Sequence, residues 1–442
     1  MKPEPERLDG RTRQTGFGTG RRHQTEESLR TGECDEPSNR VTAVYAIIGL
    51  LVLLYIASSV AYASIYEPNL QFFAYYAIDY RHGFVRRGLI GEIIDLFPAS
   101  LYFTGLLIMR WLVPTLFGVA IAAVAWTVAS TFGRSERRLM LALLIPALPF
   151  GLVRAVAAPT PDLLGEAALA LFAVMLASPK GSRSLLPASG IYGMTVAVLT
   201  LIHEAVPFLQ ALGAILAIAV LPRTSVKIQR VSALLAVAPG LAVALAIAGL
   251  RQRDVSSQCA RLPHRTLLFA PGRYVDYHDW TCRYITVTTR KTPLIELNPL
   301  GWGPWIMQTI AGLVVFAVTV FVVRGFSGVP LGRIRQAVQR RHSWIALAAL
   351  LLLPIFATAA DWLRWWIVIS FDVGVVYLLY ASREPESARP AARRTRISFA
   401  VAIVAFTALP ILTAISTEQG NQRLMTHCSQ LAADPMWVSA CP

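Results

Sequence analysis

Charged side chains are scarce in this sequence, and their scarcity excludes most soluble folds. Asp, Glu, Lys and Arg make up 15% of the 442 residues, whereas 55% are hydrophobic. A soluble protein carries about 25% charged residues, because its surface has to be solvated. The mean hydropathy is +0.51. The apolar residues form blocks of about 16–22, the helix length that crosses ~30 Å of hydrocarbon.

Several catalytic signatures are also missing. The sequence has no P-loop, no GxGxxG run after a strand, no HExxH pair and no CxxC pair. Nothing in it therefore supports a nucleotide-driven machine or a metalloprotease. No internal repeat is evident, which disfavours a transporter built from inverted repeats. Most of the formal net charge of +15 lies in short loops between apolar blocks, so no nucleic-acid partner is predicted.

The apolar blocks predict an all-α polytopic membrane helix bundle. They are rich in Leu, Ala, Val and Ile without the alternation of a barrel strand. A spanning helix also satisfies its own backbone hydrogen bonds. We predict a transmembrane domain at 41–416 with about eleven spans. The predicted spans are 41–63, 101–131, 139–157, 163–178, 186–202, 205–221, 231–250, 304–323, 343–359, 365–381 and 398–416.

The distribution of Arg and Lys predicts the orientation of the bundle. Short loops that hold clusters of these residues face the cytoplasm. Under this segmentation all such loops fall on one side, so the N-terminus is predicted inside and the C-terminus outside. The basic loops lie at 134–138, 180–183, 223–230, 324–341 and 383–396.

The segments outside the spans differ in composition. Residues 1–40 are polar and have no apolar face, which predicts a disordered cytoplasmic tail. Residues 417–442 form a short predicted extracytoplasmic segment. The outer loops 64–100 and 251–303 are long enough to carry function. The second is basic, which favours an anionic partner.

Cysteine is rare, and its placement agrees with this orientation. Of the five cysteines, Cys34 lies in the inner tail. Cys259 and Cys282 share an outer loop, and Cys428 and Cys441 share the C-terminal segment. Disulfides persist on the oxidising side of a membrane. We therefore predict the pairs Cys259–Cys282 and Cys428–Cys441, and four unrelated thiols are the alternative.

The first outer loop combines a carboxylate with several cations. Asp79 is followed by Arg81 and His82, and Arg86 and Arg87 come shortly afterwards. Arginine binds phosphate bidentately, and a carboxylate can accept the proton of an attacking hydroxyl. This pattern favours a site for a lipid-linked phosphate donor. The alternative is an interfacial loop whose arginines bind lipid headgroups and perform no chemistry.

A second group of ionisable residues lies at the ends of the predicted spans. Charges at that depth are costly, so they usually face a cavity and are functional. The predicted topology brings all of them to the outer leaflet. Charges snorkelling at helix ends, or ion pairs that join helices, are the structural alternatives. The group consists of Arg154, Asp162, Glu166, His203, Glu204, Asp361 and Arg364.

Three stretches carry a resemblance to known proteins. They are the run Gly-Phe-Val-Arg-Arg-Gly-Leu-Ile-Gly at 83–91, the pair His203-Glu204, and Asp-Trp-Leu-Arg-Trp at 361–365. Together they resemble uncharacterised bacterial polytopic membrane proteins, some of them linked to envelope polysaccharide synthesis. The overall layout resembles the GT-C glycosyltransferases, which use polyprenyl-phosphate-linked sugars and carry an acidic catalytic residue in the first outer loop.

The resemblance implies a function and a role for each residue. It implies transfer of a sugar from a polyprenyl-phosphate-linked donor to an envelope glycan acceptor, at the outer face of the bacterial cytoplasmic membrane. Asp79 would act as general base. Arginines would hold the phosphate, and the other charged residues, with His82, would complete the substrate site; a divalent metal is left open. The phosphate-holding residues are Arg81, Arg86, Arg87 and Arg364, and the acceptor-positioning residues are Asp162, His203, Glu204 and Asp361.

Two other classes of function remain open at this point. A transporter or flippase of lipid-linked or anionic solutes would share the buried charges. It would carry them at mid-membrane depth and have short outer loops. A non-catalytic scaffold for envelope synthesis would tolerate the loss of Asp79 and Arg86 together.

Overall fold

The computed structural model describes most of the chain between its termini. The described residues are 39–66, 73–81, 83–131, 133–178, 181–250, 256–270, 273–289, 303–339, 341–358 and 362–407. Most of them are helical, and the strands among them form one short hairpin. The predicted all-α helix bundle is therefore confirmed. The predicted tail 1–40, apart from its last two residues, and the predicted segment 417–442 lie outside the described residues.

The helices follow one another along the chain, with the hairpin between two series. The first series is α1 (Asn39–Tyr66), α2 (Gly88–Asp95), α3 (Tyr102–Trp126), α4 (Glu136–Leu144), α5 (Leu152–Ala157), α6 (Asp162–Ala177), α7 (Gly181–Ile202), α8 (Val206–Val220) and α9 (Val226–Leu250). The outer hairpin region is α10 (Ser256–Cys259), β1 (Thr266–Ala270), β2 (Arg273–Asp276) and α11 (Tyr277–Thr289). The second series is α12 (Gly303–Ser327), α13 (Leu331–Gln339), α14 (His342–Leu350), α15 (Leu353–Thr358), α16 (Trp362–Arg383) and a helical segment at 393–407.

Membrane-crossing length is reached by a subset of these helices. Within the described residues, 7 helical segments are long and apolar enough to cross a bilayer, and a bent pair formed by Leu331–Gln339 and His342–Ala357 is an eighth candidate. The count of about eleven spans stays a prediction. The qualifying segments are Val41–Ser64, Ala99–Thr131, Glu136–Ala157, Gly181–Ile202, Val226–Leu250, Ile306–Ser327 and Trp362–Arg383.

Helices α6 and α8 are shorter than the helical segments of membrane-crossing length and lie inside the bundle. α6 has 16 residues and α8 has 15, and both coincide with predicted spans. Side chains on every side of α8 are buried. Other parts of the protein, and not lipid, therefore surround α8. These two helices therefore form the centre of the bundle.

The basic loops meet at one end of the bundle, as the segmentation predicts. Guanidinium groups there donate to backbone carbonyls and to side chains of neighbouring loops, which ties the loops together. These contacts are Arg138–Ser382, Arg137–Phe326, Arg383–Leu221 and Arg341–Gln229. We call this the basic end. That it faces the cytoplasm stays a prediction.

The two outer loops meet at the opposite end. The side-chain amide of Gln258 donates to the backbone carbonyl of Asp79 at 3.0 Å. The hydroxyls of Tyr102 and Tyr277 are 3.0 Å apart. The second loop, from Gln258 to Tyr277, is therefore anchored on the first loop and on the start of α3. We call this the outer-loop end.

Candidate functional site at the outer-loop end

Asp79 is held in place by a buried stretch of backbone. Tyr76 is completely buried, and its hydroxyl donates to the carbonyl of Pro159 at 3.1 Å. A Cβ atom on Gly91 would lie 2.0 Å from the carbonyl oxygen of Ile78. No side chain fits in that space, so α2 rests directly on the backbone that presents Asp79. The short loop thereby acquires a fixed geometry.

Asp79 shares its surroundings with a second carboxylate. Asp95, at the end of α2, lies near the Asp79 side chain, which raises the pKa of Asp95. Arg81 contacts both acids: its Nε is 3.9 Å from Asp79 Oδ2, and its Nη2 pairs with Asp95 Oδ2. The Arg81 backbone N–H also donates to Asp79 Oδ1 at 3.0 Å. We call Asp79, Arg81 and Asp95 the carboxylate pair with its arginine.

The surroundings of Asp95 favour its protonated form. Burial is the largest cause that raises the pKa of Asp95, and the neighbouring Asp79 raises it further. The Arg81 guanidinium opposes both effects without cancelling them. Two carboxyl groups can hydrogen bond to each other only when one holds a proton. Such a bond would therefore form when Asp95, whose pKa is raised, holds the proton.

Arg86 and Arg87 both face Glu204. Arg87 Nε and Nη2 donate to the two carboxylate oxygens of Glu204, each at 3.0 Å. Arg86 Nη1 lies 3.5 Å from Glu204 Oε1. Burial raises the pKa of Glu204, but Arg87 and then Arg86 outweigh that effect and hold the pKa well below its usual range. Glu204 is therefore an anion that joins the first outer loop to the α7–α8 junction.

The backbone at Arg87 is strained. Its φ is 65°, the one positive φ at a residue other than glycine in the described part of the chain. A left-handed conformation is costly for a side chain with a Cβ, and such strain concentrates at functional sites. Here it points the guanidinium at Glu204 just before α2 begins.

Asp162 is the centre of a second set of contacts. It is completely buried at the start of α6. Arg364 Nε lies 3.2 Å from Asp162 Oδ2, and His203 Nδ1 lies 3.3 Å from Asp162 Oδ1. One turn further along α6, Glu166 accepts hydrogen bonds from Arg154 Nη1 at 3.0 and 3.2 Å. Each buried acid of α6 is thus matched to an arginine.

Tyr75 connects the two sets of contacts. Its hydroxyl accepts a hydrogen bond from Arg364 Nη1 at 3.1 Å. Its ring faces the guanidinium of Arg87, whose Cζ is 5.3 Å from the ring centroid. The pattern of charged residues gave no signal for Tyr75, because the chain carries 14 tyrosines and most need no special role. We call Tyr75, Arg87, Asp162, His203, Glu204 and Arg364 the buried charge network.

His203 is neutral inside this network. Burial is the largest cause that lowers its pKa, to about 4, and the nearby guanidiniums of Arg87 and Arg364 add to the effect. The carboxylate of Asp162 opposes it without cancelling it. At neutral pH the contact with Asp162 therefore joins a carboxylate to an uncharged imidazole.

One buried acid inside the bundle was not predicted as a candidate site residue from the sequence. Asp372 lies in the middle of α16, is completely buried, and packs against Gly213 of α8. Gln210, one turn away on α8, is also buried. A single acid inside a long apolar block barely changes the local hydropathy. The hydropathy pattern therefore gives no signal for either residue.

The structure brings together most of the predicted site residues. Arg87, Asp162, His203, Glu204 and Arg364 form the buried charge network, and Arg86 touches it through Glu204. Asp79 and Arg81 lie next to Asp95, a residue that the sequence pattern did not assign to the site. The predicted residues His82 and Asp361 lie outside the described residues.

The structure holds Cys259 and Cys282 as two thiols. The disulfide between them stays a prediction. Cys34, Cys428 and Cys441 lie outside the described residues. The second loop also holds the one group of potential metal ligands found among the described residues, namely His264, Asp276, His278 and Asp279.

Long apolar helices, a buried charge network at one end and basic loops at the other define a polytopic α-helical membrane protein. Comparison with known proteins specifies the family. The chain belongs to the family described as uncharacterised membrane protein Rv1490, whose model matches residues 45–407. The matched range contains both the carboxylate pair and the buried charge network.

The relatives found are mycobacterial. The chain is 36% identical over 394 residues to uncharacterized protein Rv1490 of Mycobacterium tuberculosis strain H37Rv. It is equally similar to uncharacterized protein Mb1527 of Mycobacterium bovis. Each alignment covers 83% of this chain and 90% of the relative. No solved structure matches this chain.

Proposed function

We propose that this protein is a membrane glycosyltransferase of GT-C-like type, or a related polysaccharide polymerase. It transfers a sugar from a polyprenyl-phosphate-linked donor to an envelope glycan at the outer face of the bacterial cytoplasmic membrane. The observation that carries the proposal is the pair of neighbouring carboxyl groups of Asp79 and Asp95, both contacted by Arg81 in the first outer loop. Such pairs separate the roles of two carboxyl groups, because only one of them keeps its proton.

The proposed reaction uses Asp79 as the general base. A hydroxyl of the acceptor glycan attacks the anomeric carbon of the donor sugar and forms the new glycosidic bond. The bond between that carbon and the phosphate oxygen breaks, and its electron pair leaves with polyprenyl phosphate. The hydroxyl proton passes to Asp79, while Asp95 donates to Asp79 and orients it.

The arginines next to the carboxylate pair supply positive charge for the departing phosphate. Arg87 is engaged by both oxygens of Glu204, whereas Arg86 contacts Glu204 at the longer distance of 3.5 Å. A guanidinium has five N–H donors and binds phosphate oxygens in a fork. We therefore assign the first phosphate contact to Arg86 and a positioning role to Arg87.

The proposal predicts that Asp79→Asn abolishes transfer in a folded protein. Loss of general base catalysis costs about 10²- to 10⁴-fold in rate. The measurement is transfer from polyprenyl-phosphate-linked sugars to glycan in membranes of a deletion strain that expresses each variant. Glu386→Gln is the matched control, because that acid pairs with Arg333 at the basic end. Wild-type transfer by Asp79→Asn would remove Asp79 from the mechanism.

A specific observation favours transport of a lipid-linked or anionic solute as the second candidate. Glu166 and Asp372 are completely buried within helices α6 and α16, where acids commonly form ion or proton pathways. A transporter moves its substrate without changing it. Deletion cells would then accumulate an unmodified lipid-linked sugar on the inner leaflet, and Asp372→Asn would reproduce that accumulation. A scaffold would show neither defect when Asp79 and Arg86 are replaced together.

A further inference from the structure

The hairpin in the second outer loop gathers two histidines and two aspartates. His264 precedes β1, Asp276 ends β2, and His278 and Asp279 open α11. Thr266 pairs with Asp276 in the antiparallel ladder, so the residue before the hairpin lies beside the residues that follow it. The register alone therefore brings the four side chains together.

The four side chains converge on a small volume. One potential ligand atom from each lies within 4.8 Å of all the others. His264 Nδ1 is 3.3 Å from Asp276 Oδ1, and His278 Nδ1 is 2.9 Å from Asp279 Oδ1. In a tetrahedral zinc site with bonds of ~2.0–2.2 Å, neighbouring ligand atoms are ~3.3–3.6 Å apart. The separation of His264 and Asp276 falls in that range, that of His278 and Asp279 is shorter, and all pairs in the group lie within 4.8 Å.

The two imidazole rings lie face to face beside the carboxylates. The rings of His264 and His278 are stacked, with centroids 4.0 Å apart and planes inclined by 24°. One nitrogen of each ring lies within 4.8 Å of a carboxylate oxygen of both aspartates, as one shared ion requires.

The backbone that carries these ligands is fixed before any ion binds. The Tyr277 N–H donates to the carbonyl of Arg265 at 2.8 Å, which closes the base of the hairpin. The completely buried ring of Tyr277 packs edge-on against Phe103 with centroids 5.1 Å apart. The Arg265 guanidinium lies over the same Phe103 ring at 4.6 Å. A preformed ligand set lowers the entropy lost on binding.

We propose that His264, Asp276, His278 and Asp279 bind one divalent transition-metal ion with the ligand preference of Zn²⁺. Two imidazoles and two carboxylates suit that ion. The side chains of His264 and Asp279 are 69% and 75% exposed, so the ion can enter from solvent. The bound ion links the base of the hairpin to the first turn of α11. This site does not depend on the proposed transferase chemistry.

The test measures metal binding to the full-length protein purified in detergent. Wild type stripped with a chelator and reloaded should retain about one Zn²⁺ per chain, and Co²⁺ should give the strong visible bands of a tetrahedral site. His264→Ala should bind Co²⁺ more than tenfold more weakly, since even the loss of an outer-shell partner costs ~10–100-fold. His264 is exposed, so its replacement should not unfold the protein, and weaker Co²⁺ binding would reflect the lost ligand. The double variant His264→Ala/His278→Ala should lose the visible bands entirely.

The matched control is His342→Ala, which removes a histidine at the basic end whose Nδ1 lies near the Gln339 carbonyl. It should keep the wild-type stoichiometry and cobalt spectrum. The proposal is overturned if wild type retains no metal, if His264→Ala binds Co²⁺ as tightly as wild type, or if His342→Ala loses the ion.

Discussion

At the scale of single residues, three acids of the outer-loop end each face an arginine. Glu204 faces Arg87, Asp162 faces Arg364, and Glu166 faces Arg154. A buried ion pair of this kind adds little stability relative to an apolar pair. Removing one partner, however, leaves a charge without compensation in a medium of low dielectric constant.

The pair of Asp162 and Arg364 tests this arrangement. We expect Arg364→Gln to lower the free energy of unfolding by about 3–5 kcal/mol, because it leaves the Asp162 carboxylate uncompensated. Asp162→Asn/Arg364→Gln should lose less than the sum of the two single changes. The measurement is thermal unfolding in detergent. Arg333→Gln, a 52% exposed partner of Glu386, is the control and should cost about 1 kcal/mol or less.

Additive losses in that cycle would show that Asp162 and Arg364 do not stabilise each other. The sequence already suggested that such charges meet, because topology sends the ends of alternate spans to one side. It could not assign Glu204 to Arg87 or Asp162 to Arg364, since partner choice depends on the rotation of each helix. The sequence also did not predict Asp95 as a site residue, because Asp95 comes close to Asp79 only when α2 packs on the loop.

At the scale of elements, the contact between α2 and the loop that presents Asp79 leaves the least space for a side chain. A Cβ atom on Gly91 would meet three backbone atoms, the Ile78 oxygen at 2.0 Å, the Ile78 carbon at 2.5 Å and the Asp79 nitrogen at 2.9 Å. Backbone atoms cannot move aside as a flexible side chain can. The helix and the loop therefore form one unit.

We expect Gly91→Ala to displace Asp79 and abolish the proposed transfer, while lowering the melting temperature by several degrees. The control is Gly190→Ala on α7, where a Cβ atom would have no neighbour within 4 Å. That change should be neutral or slightly stabilising, because alanine favours helix by ~1 kcal/mol over glycine. Equal behaviour of the two variants in the melting and transfer assays would contradict the tight contact.

Hydropathy predicted the long helices because each contains enough consecutive apolar residues to be identified without knowledge of its neighbours in the fold. The predicted span 186–202 lies within α7, and 231–250 lies within α9. The hairpin from Thr266 to Asp276 was foreseen only as structure within a long outer loop. Its strands are too short for a period-two pattern to emerge above chance.

At the scale of the whole molecule, the predicted orientation places the hairpin outside the cell membrane and the basic end in the cytoplasm. We expect a single cysteine at Tyr274, which is 66% exposed in the outer hairpin, to react with a membrane-impermeant maleimide in intact cells. A cysteine at the exposed Arg335 of the basic end should react only after permeabilisation. Both variants need the five native cysteines replaced by serine. The reverse pattern of labelling would invert the proposed topology.

The shortness of α6 and α8 has a consequence for a lipid-linked substrate. With 16 and 15 residues, they rise about 24 and 22 Å, less than the ~30 Å of an average hydrocarbon core. Because other helices surround them, this difference in length is accommodated inside the bundle and not by the bilayer. The polar ends of these helices, at Asp162 and His203, would then lie in a recess among the longer helices. A polyprenyl phosphate could bring its headgroup to that depth while its chain stays in the membrane.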